Sequence, residues 1–255
     1  MPAITPAKLA RQIRSKLRQA SAEQTAITGR TFFKPDDDVR LYGVKSSGVR
    51  GIEKEAFLLV RETWTVADAT SFCEFMAREP HHEAKMVGVL LLGRYRESFP
   101  KGLLAAVRGW ISAGYFPNWA AIDGLAPTVV TPLAVKYPET IPRITRWTAS
   151  RNLWLRRAAA VTFVPLARKG QELDHAYAVV EDMLTDKNDL IHKACGWLLR
   201  EAGRTDMKRL ERFLLSNGPR VPRTTVRYAI ERFPEPKRKS LLSKTRGESR
   251  SRYER

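Results

Sequence analysis

The chain has 255 residues, enough for one large domain or two small ones, and 43% of them are hydrophobic, which allows a sizeable core. Its formal net charge of +18 favours a polyanionic partner, with nucleic acid first and an anionic membrane surface second. No apolar run is long enough to span a bilayer, and no signal-peptide pattern opens the chain. We therefore expect no membrane association and a cytoplasmic protein associated with the nucleoid.

Only two cysteines occur, Cys73 and Cys195, and both lie inside apolar helical patterns without the spacing of metal ligands. They are typical of small core residues in a reducing compartment. The sequence therefore predicts neither a metal site nor another cofactor.

Helical signals recur along the chain, and strand signals are scarce. Residues 6–20 predict a basic amphipathic helix with Leu9, Ile13 and Leu17 on one face. Residues 22–45, with Phe32, Phe33 and an acidic turn at 35–38, are expected to form a connection that docks by its aromatic side chains. The remaining predicted helices are 48–62, 66–78, 82–97, 100–113, 118–126, 128–137, 139–148, 151–168, 172–185, 188–203, 206–216, 222–232 and 235–243.

Proline and glycine separate these apolar-periodic segments, as helix boundaries require. Helices of similar length with short links and no strands predict an all-α fold, specifically an α-solenoid, a superhelix of HEAT-like helical repeats. A compact helical bundle is the structural alternative. We expect an N-terminal helix and docking segment at 1–45, joined to a HEAT-like core at 46–235, and a basic flexible tail at 236–255.

An arginine interrupts the apolar face of the helix predicted at 151–168. At 3.6 residues per turn, Arg157 points the same way as Val161 and Val164, whereas Arg156 points to the side. A buried arginine without a partner would cost several kcal/mol. Arg157 must therefore extend past its neighbours to water or meet an anionic group.

Two other segments carry polar or aromatic groups in unusual places. Asn118 is a good N-cap after a proline, and it places Trp119 and Asp123, four residues apart, on one face of a short helix. Gly196 lies beside Trp197 in mid-helix, where it costs up to about 1 kcal/mol relative to alanine. It indicates the close approach of another backbone or a ligand, or relief of crowding between helices. Taken singly, each of these residues also fits an ordinary helical core.

Together, the three segments resemble the AlkD family of DNA alkylation-repair glycosylases. The matching motifs are Trp119-x-x-x-Asp123, Asn152-Leu-Trp-Leu-x-Arg157-Ala-Ala and Lys193-Ala-x-Gly-Trp197-x-Leu-Arg-Glu201. The first motif alone is weak, but the second and third, in this order and at this spacing, are specific. The similarity covers roughly residues 40–235.

The resemblance implies a HEAT-like superhelix with a concave, basic DNA-binding face. It implies base excision repair, in which the N-glycosidic bond of cationic N-alkylpurines such as 3-methyladenine and 7-methylguanine is hydrolysed in duplex DNA, without a base-flipping pocket. Carried over by motif, the catalytic residues are Asp123, Trp119, Arg157 and Trp197, with no metal and no cofactor.

The chemistry of these residue types fits that reaction. A cationic alkylpurine leaves without protonation, so no general acid is needed, and the four histidines lie outside the motifs. Asp123 can stabilise the positive charge that develops on the deoxyribose and orient the attacking water. Trp119 and Trp197 can present their π-faces to the sugar. Arg157 can hold the carboxylate, a backbone phosphate, or both.

Binding to DNA requires further cations. The candidates are Lys193, Arg200, Arg223, Arg227 and Arg156, with Arg94 and Arg96 as weaker ones. Each is equally typical of a solvated helix charge. We expect a monomer that binds double-stranded DNA containing alkylated purines. The alternatives are a non-catalytic HEAT-repeat binder of DNA or RNA and a protein-interaction scaffold, which the positive charge disfavours.

Overall fold

The computed structural model describes residues 4–35 and 37–246. These residues fall into two compact units, one ending at Ile141 and the other beginning at Pro142. Every regular element in the described ranges is helical, and the strand-like feature seen there is an isolated bridge between Arg40 and His81. No helix in the described part of the chain is both long and apolar enough to cross a bilayer.

The first unit is built around α4 and α5, which pack on each other. Helix α3 packs on α5, α1 packs on α3 and α4, and α7 packs on α5. The helices of this unit are α1 (Pro6–Gln19), α2 (Glu23–Arg30), α3 (Ser46–Val60), α4 (Val66–Ala77), α5 (His82–Gly93), α6 (Leu103–Ser112), α7 (Trp119–Leu125) and α8 (Thr131–Lys136).

The N-terminal helix α1 confirms the amphipathic pattern of its sequence. Thr5 caps it by accepting a hydrogen bond from the backbone N–H of Lys8 at 3.3 Å. Leu9, Ile13 and Leu17 are buried on one face. The stripe of apolar residues thus fixes which side of α1 meets α3 and α4.

The connection after α1 contains a helix that its sequence pattern does not predict. Helix α2 buries none of its residues, so it lacks the apolar stripe from which helices are recognised. In the same connection Phe33 docks on Trp119, in agreement with the expected aromatic docking, but Phe32 is 72% exposed. Asp36, in the predicted acidic turn, lies outside the described residues.

The chain reaches α3 through a segment that the buried carboxylate of Glu83 holds. Glu83 accepts hydrogen bonds from three consecutive backbone N–H groups, those of Tyr42 at 3.0 Å, Gly43 at 2.8 Å and Val44 at 3.2 Å. Gly43 has φ +79°, and a Cβ there would lie 2.1 Å from the carbonyl oxygen of Ala22. Glycine is therefore required where the connection passes the start of α2.

Helices α7 and α8 are continuous through a π-turn at Ala126–Val130, where the sequence predicts a break. Pro127 has no N–H to donate to the carbonyl of Asp123, four residues earlier, so the α-helical ladder is interrupted without ending the helix. Such π-turns are frequent next to functional sites.

The second unit has α10, α12 and α14 side by side, with α11 packed on α10 and α12, and with α13 packed on α12. Its helices are α9 (Ile141–Thr145, starting at the boundary), α10 (Leu153–Ala167), α11 (Leu173–Asp182), α12 (Asp189–Ala202), α13 (Met207–Asn217), α14 (Arg223–Ala229) and α15 (Glu235–Lys244). The all-α prediction is confirmed, and this two-layer packing of successive helices is compatible with an α-solenoid of helical repeats.

The segment expected to be a flexible tail begins as helix α15, which packs on α13. Leu241 and Thr245 are both 1% exposed, and the hydroxyl of Thr245 accepts a hydrogen bond from Arg223 at 3.1 Å. Burial of Leu241 and Thr245 and the hydrogen bond from Arg223 thus dock this helix in an otherwise strongly basic stretch. The rest of the predicted tail, residues 247–255, lies outside the described residues.

Candidate functional site

Trp119 and Asp123 lie one turn apart at the start of α7, as their spacing predicts. Asn118, in extended conformation, caps the helix by accepting a hydrogen bond from the N–H of Ala121 at 3.0 Å. The Asn118 amide also donates to the carbonyl of Asp38 at 3.3 Å, which ties α7 to the N-terminal connection. Both Trp119 and Asp123 are partly exposed, so neither is an ordinary core residue.

The two side chains line an open cleft of about 600 Å³ inside the first unit. Its wall combines aromatic rings, two cations and two carboxylates: Phe32, Phe33, Lys45, Arg50, Glu83 and Asp123. Phe33 stacks on Trp119 with ring centroids 5.2 Å apart, and this contact fixes the indole at the cleft. The cleft can therefore present a carboxylate to a cationic group between aromatic surfaces.

Arg157 lies in the first turns of α10 and is 5% exposed. It does not extend to water: its Nη1 donates a hydrogen bond to the carbonyl oxygen of Leu190, on α12, at 2.7 Å. Ala160 and Val161 beside it are fully buried, as the apolar face predicts. The buried guanidinium is thus held by the neighbouring helix of its own unit.

Trp197 lies on α12, partly exposed, and Gly196 next to it explains how α12 and α14 approach each other. A Cβ at Gly196 would lie 2.4 Å from the Cβ of Tyr228 and 2.9 Å from the carbonyl oxygen of Thr225. The close neighbour of this glycine is therefore α14. Gly196 allows the two helices to approach each other, as expected for close approach of another backbone. The contact also fixes α12, and hence the position of Trp197, relative to α14.

The four residues of the resembling motifs thus divide between the units. Trp119 and Asp123 share α7 in the first, whereas Arg157 on α10 and Trp197 on α12 belong to the second. In the first unit both residues lie on one helix, and in the second unit they lie on two helices that pack side by side.

Most cations expected to contact DNA have acidic or polar partners within the protein. Arg156 is the most constrained, because its Nε donates to Asp186 at 2.6 Å and its Nη1 to the carbonyl of Ser150 at 2.9 Å. Lys193 pairs with Asp189 at 2.8 Å, one helical turn away, and this hydrogen bond raises the pKa of Lys193. Arg227, on α14, is exposed.

The remaining candidate arginines also differ in how strongly they are bound to partners within the protein. Arg200 pairs with Glu231 and lies 3.4 Å from Glu201. The pKa of Arg223 is lowered by burial and by the charges of Arg246 and Arg227. In the first unit Arg94 donates two hydrogen bonds of 2.9 Å to the buried carboxylate of Glu53, while Arg96 only reaches its exposed neighbour Glu97.

A buried carboxylate organises the C-terminal ends of the helices of the second unit. Glu201 is 1% exposed and lies within 4 Å of four guanidinium groups, those of Arg168 (2.8 Å), Arg200 (3.4 Å), Arg204 (3.5 Å) and Arg232 (3.6 Å). Burial acts to raise the pKa of Glu201, but the hydrogen bond and charge of Arg168 and the charges of Arg232 and Arg200 outweigh it and lower the pKa.

Neither cysteine is placed for chemistry. Cys73 and Cys195 are buried, and burial raises the pKa of both thiols, that of Cys195 to about 12. His82 lines the cleft of Asp123, although its sequence position lies outside the motifs, and burial lowers its pKa. Between residues 4 and 246, Asp36 apart, no group of three or more His, Cys, Asp or Glu is arranged to hold a metal ion.

The sequence gives little sign of the cleft residues that the N-terminal connection and α5 contribute. It predicts that Phe33 docks by its ring, but the partner of that ring, Trp119, follows only from tertiary contacts. Glu83 carries no signal in the sequence, because a glutamate in the first turn of a helix is typical of a solvated residue.

Comparison with known proteins identifies a family and a similar solved structure. The family model described as "DNA alkylation repair enzyme" matches residues 13–233. The fold is similar to the solved structure described as a predicted DNA alkylation repair enzyme from Enterococcus faecalis, with a TM-score of 0.71 and 17% sequence identity over 84% of this chain and 97% of that one. At this identity the likeness concerns the fold alone. No curated protein sequence matches the chain.

Proposed function

Because the chain belongs to the family of DNA alkylation repair enzymes, we propose that it is a DNA glycosylase of base excision repair. Its substrates are cationic N-alkylpurines, such as 3-methyladenine and 7-methylguanine, in duplex DNA of the nucleoid. The observation that carries the proposal is the pairing of a partly exposed carboxylate, Asp123, with a partly exposed indole, Trp119, one turn apart in an open cleft.

The reaction is the hydrolysis of the N-glycosidic bond. The bond's electron pair leaves with the cationic purine, which becomes neutral, so no proton need be supplied to the leaving base. Positive charge passes to the deoxyribose C1′, where the Asp123 carboxylate stabilises it. Water then attacks C1′ to form the new C–O bond, and its proton passes to the bulk solvent. One preorganised electrostatic group of this kind is worth roughly 3–4 kcal/mol in the transition state.

Arg157 and Trp197 have supporting roles in the proposal. Arg157 binds a phosphate at the lesion, and its hydrogen bond to the Leu190 carbonyl supports this role because it fixes one end of the guanidinium. Trp197 presents its π-face to the polarised sugar, as Trp119 does.

For DNA binding we propose Lys193, Arg200, Arg223, Arg227 and Arg156. Their positions on α10, α12 and α14 support the proposal, because these neighbouring helices spread the cations across one layer of the second unit. Contacts to phosphate give affinity and salt dependence with little sequence preference. Since Arg156 and Lys193 already have acidic partners, Arg227 is the clearest candidate. A monomer bound to one duplex is expected.

The test is release of free base from methylated duplex DNA under single-turnover conditions. We expect the wild type to release 3-methyladenine or 7-methylguanine, and Asp123→Asn to lower the rate about 10²–10³-fold while its DNA affinity stays nearly unchanged. Glu97→Gln is the matched control, because it removes the same charge from a 90% exposed side chain of the same unit. Equal loss of binding and release in Asp123→Asn would contradict its role. DNA binding without release by the wild type would favour the non-catalytic binder.

A further inference from the structure

The loop after α2 is fixed by its own hydrogen bonds. The guanidinium of Arg30 donates to three backbone carbonyls, those of Lys34 at 2.7 Å, Pro35 at 2.7 Å and Asp37 at 3.3 Å. The backbone N–H of Lys34 in turn donates to the Asp37 carboxylate at 2.9 Å. These hydrogen bonds hold the described residues of the loop, and with them the backbone that carries Phe32 and Phe33.

Two consecutive aromatic residues of this loop point to different surroundings. Phe33 is anchored by stacking on Trp119, 5.2 Å away between ring centroids. Phe32 is 72% exposed, the most exposed of the large hydrophobic side chains in the described ranges. Because burial of a phenylalanine stabilises a fold by about 1.5–3 kcal/mol, the packing of this unit does not account for Phe32.

The position of Phe32 indicates what it contacts. It lines the same cleft as Trp119 and Asp123, and the cations Lys45 and Arg50 line that cleft too. A duplex whose phosphates approach these cations would bring its base stack to the exposed ring. The charge of the surroundings thus favours nucleic acid as the partner of Phe32.

We propose that Phe32 is a wedge that enters the base stack beside the alkylated purine and loosens it. The proposal rests on the glycosylase function and gives Phe32 a positioning role: partial unstacking exposes the sugar of the lesion to Asp123 while Phe33 keeps the loop in place. Apolar side chains that enter the minor groove separate base steps in this way, and a loop held by Arg30 loses little freedom on insertion.

The experiment uses duplexes with 2-aminopurine next to a methylated purine, since the fluorescence of this base rises when it is unstacked. Binding of the wild type should raise the fluorescence. Phe32→Ala should abolish the rise and lower the single-turnover rate of base release about tenfold, and Phe32→Leu should retain part of both. Ile27→Ala is the matched control, because Ile27 is 54% exposed on the same segment but does not line this cleft.

The outcomes separate this inference from the proposed function. If the wild type raises the fluorescence but releases no base, the glycosylase function is refuted and the wedge is still supported. An unchanged fluorescence on DNA binding by the wild type, or a Phe32→Ala variant that behaves as the wild type does, would refute the wedge. Failure of the wild type to bind duplex DNA would also refute the wedge. A wild-type dimer that Phe32→Ala dissociates would refute it too, because Phe32 would then contact a second copy of the chain. Thermal unfolding checks that the variants fold.

Discussion

Replacing Glu201 by glutamine tests whether the buried carboxylate is what allows four arginines to lie together. The substitution keeps the volume and removes the charge, so it creates no cavity. Removing one partner of a buried ion pair costs about 3–5 kcal/mol. The arginine side chains are between 22% and 50% exposed, and water screens part of their mutual repulsion. We therefore expect Glu201→Gln to lower the free energy of unfolding by about 2–3 kcal/mol.

That loss corresponds to a fall in Tm of about 4–12 °C for a chain of this size, measured by thermal unfolding and by urea titration. The repulsion among the arginines is screened by salt, so the difference between wild type and variant should shrink between low salt and about 1 M salt. Glu231→Gln is the control: Glu231 is 59% exposed and also pairs with Arg200, and its loss should cost less than about 1 kcal/mol. Equal effects of the two substitutions would refute the reasoning.

The same variant gives a pH dependence with a definite sign. The pKa of Glu201 lies below its ordinary value of 4.5 in the folded protein, so the unfolded chain binds the proton more readily. The stability that Glu201 contributes is therefore fully present above pH 4.5 and is lost as the pH falls through the folded pKa. The wild type and Glu201→Gln should converge in stability on acidification, and a gap that widens there would contradict the assigned cause.

Two further substitutions test packing and DNA contact. Gly196→Ala should destabilise the protein by about 1–3 kcal/mol, because its Cβ would lie 2.9 Å from the backbone of Thr225. Gly109→Ala, which has open space at its Cβ, should leave the stability unchanged or raise it slightly. Equal urea midpoints for the two variants would contradict the close approach at Gly196. Arg227→Gln should weaken DNA binding uniformly across sequences and reduce the slope of log K against log salt by about 0.9, and an unchanged slope in a salt titration would exclude a phosphate contact.

The sequence predicted the helices that carry an apolar stripe and end at proline or glycine. Helices α12 and α13 follow this rule: each buries one face, and Gly203 and Gly218 follow their last residues. Helix α2 escaped prediction since it buries no residue, and the continuity of α7 with α8 escaped it since Pro127 normally ends a helix.

The placement of the candidate site residues was predictable where a motif fixed their spacing and unpredictable where tertiary contacts determine it. The spacing of Trp119 and Asp123 places both on one helical turn, whatever surrounds them. The hydrogen bond from Arg157 to the Leu190 carbonyl, by contrast, joins residues 33 positions apart and follows from the packing of α10 on α12. Buried acids such as Glu83 and Glu201 cannot be told from solvated glutamates in the sequence, because only their surroundings in the fold differ.

The hydrogen bonds that Glu83 accepts have a consequence for the exchange of backbone amides with solvent. Residues 42–44 belong to no helix, and amides in such segments normally exchange quickly. Here three successive N–H groups end on one buried carboxylate that also lines the cleft of Asp123. We therefore expect these three amides to exchange slowly although their neighbours lie outside any helix, and their protection would report whether the wall of that cleft is closed or has locally opened.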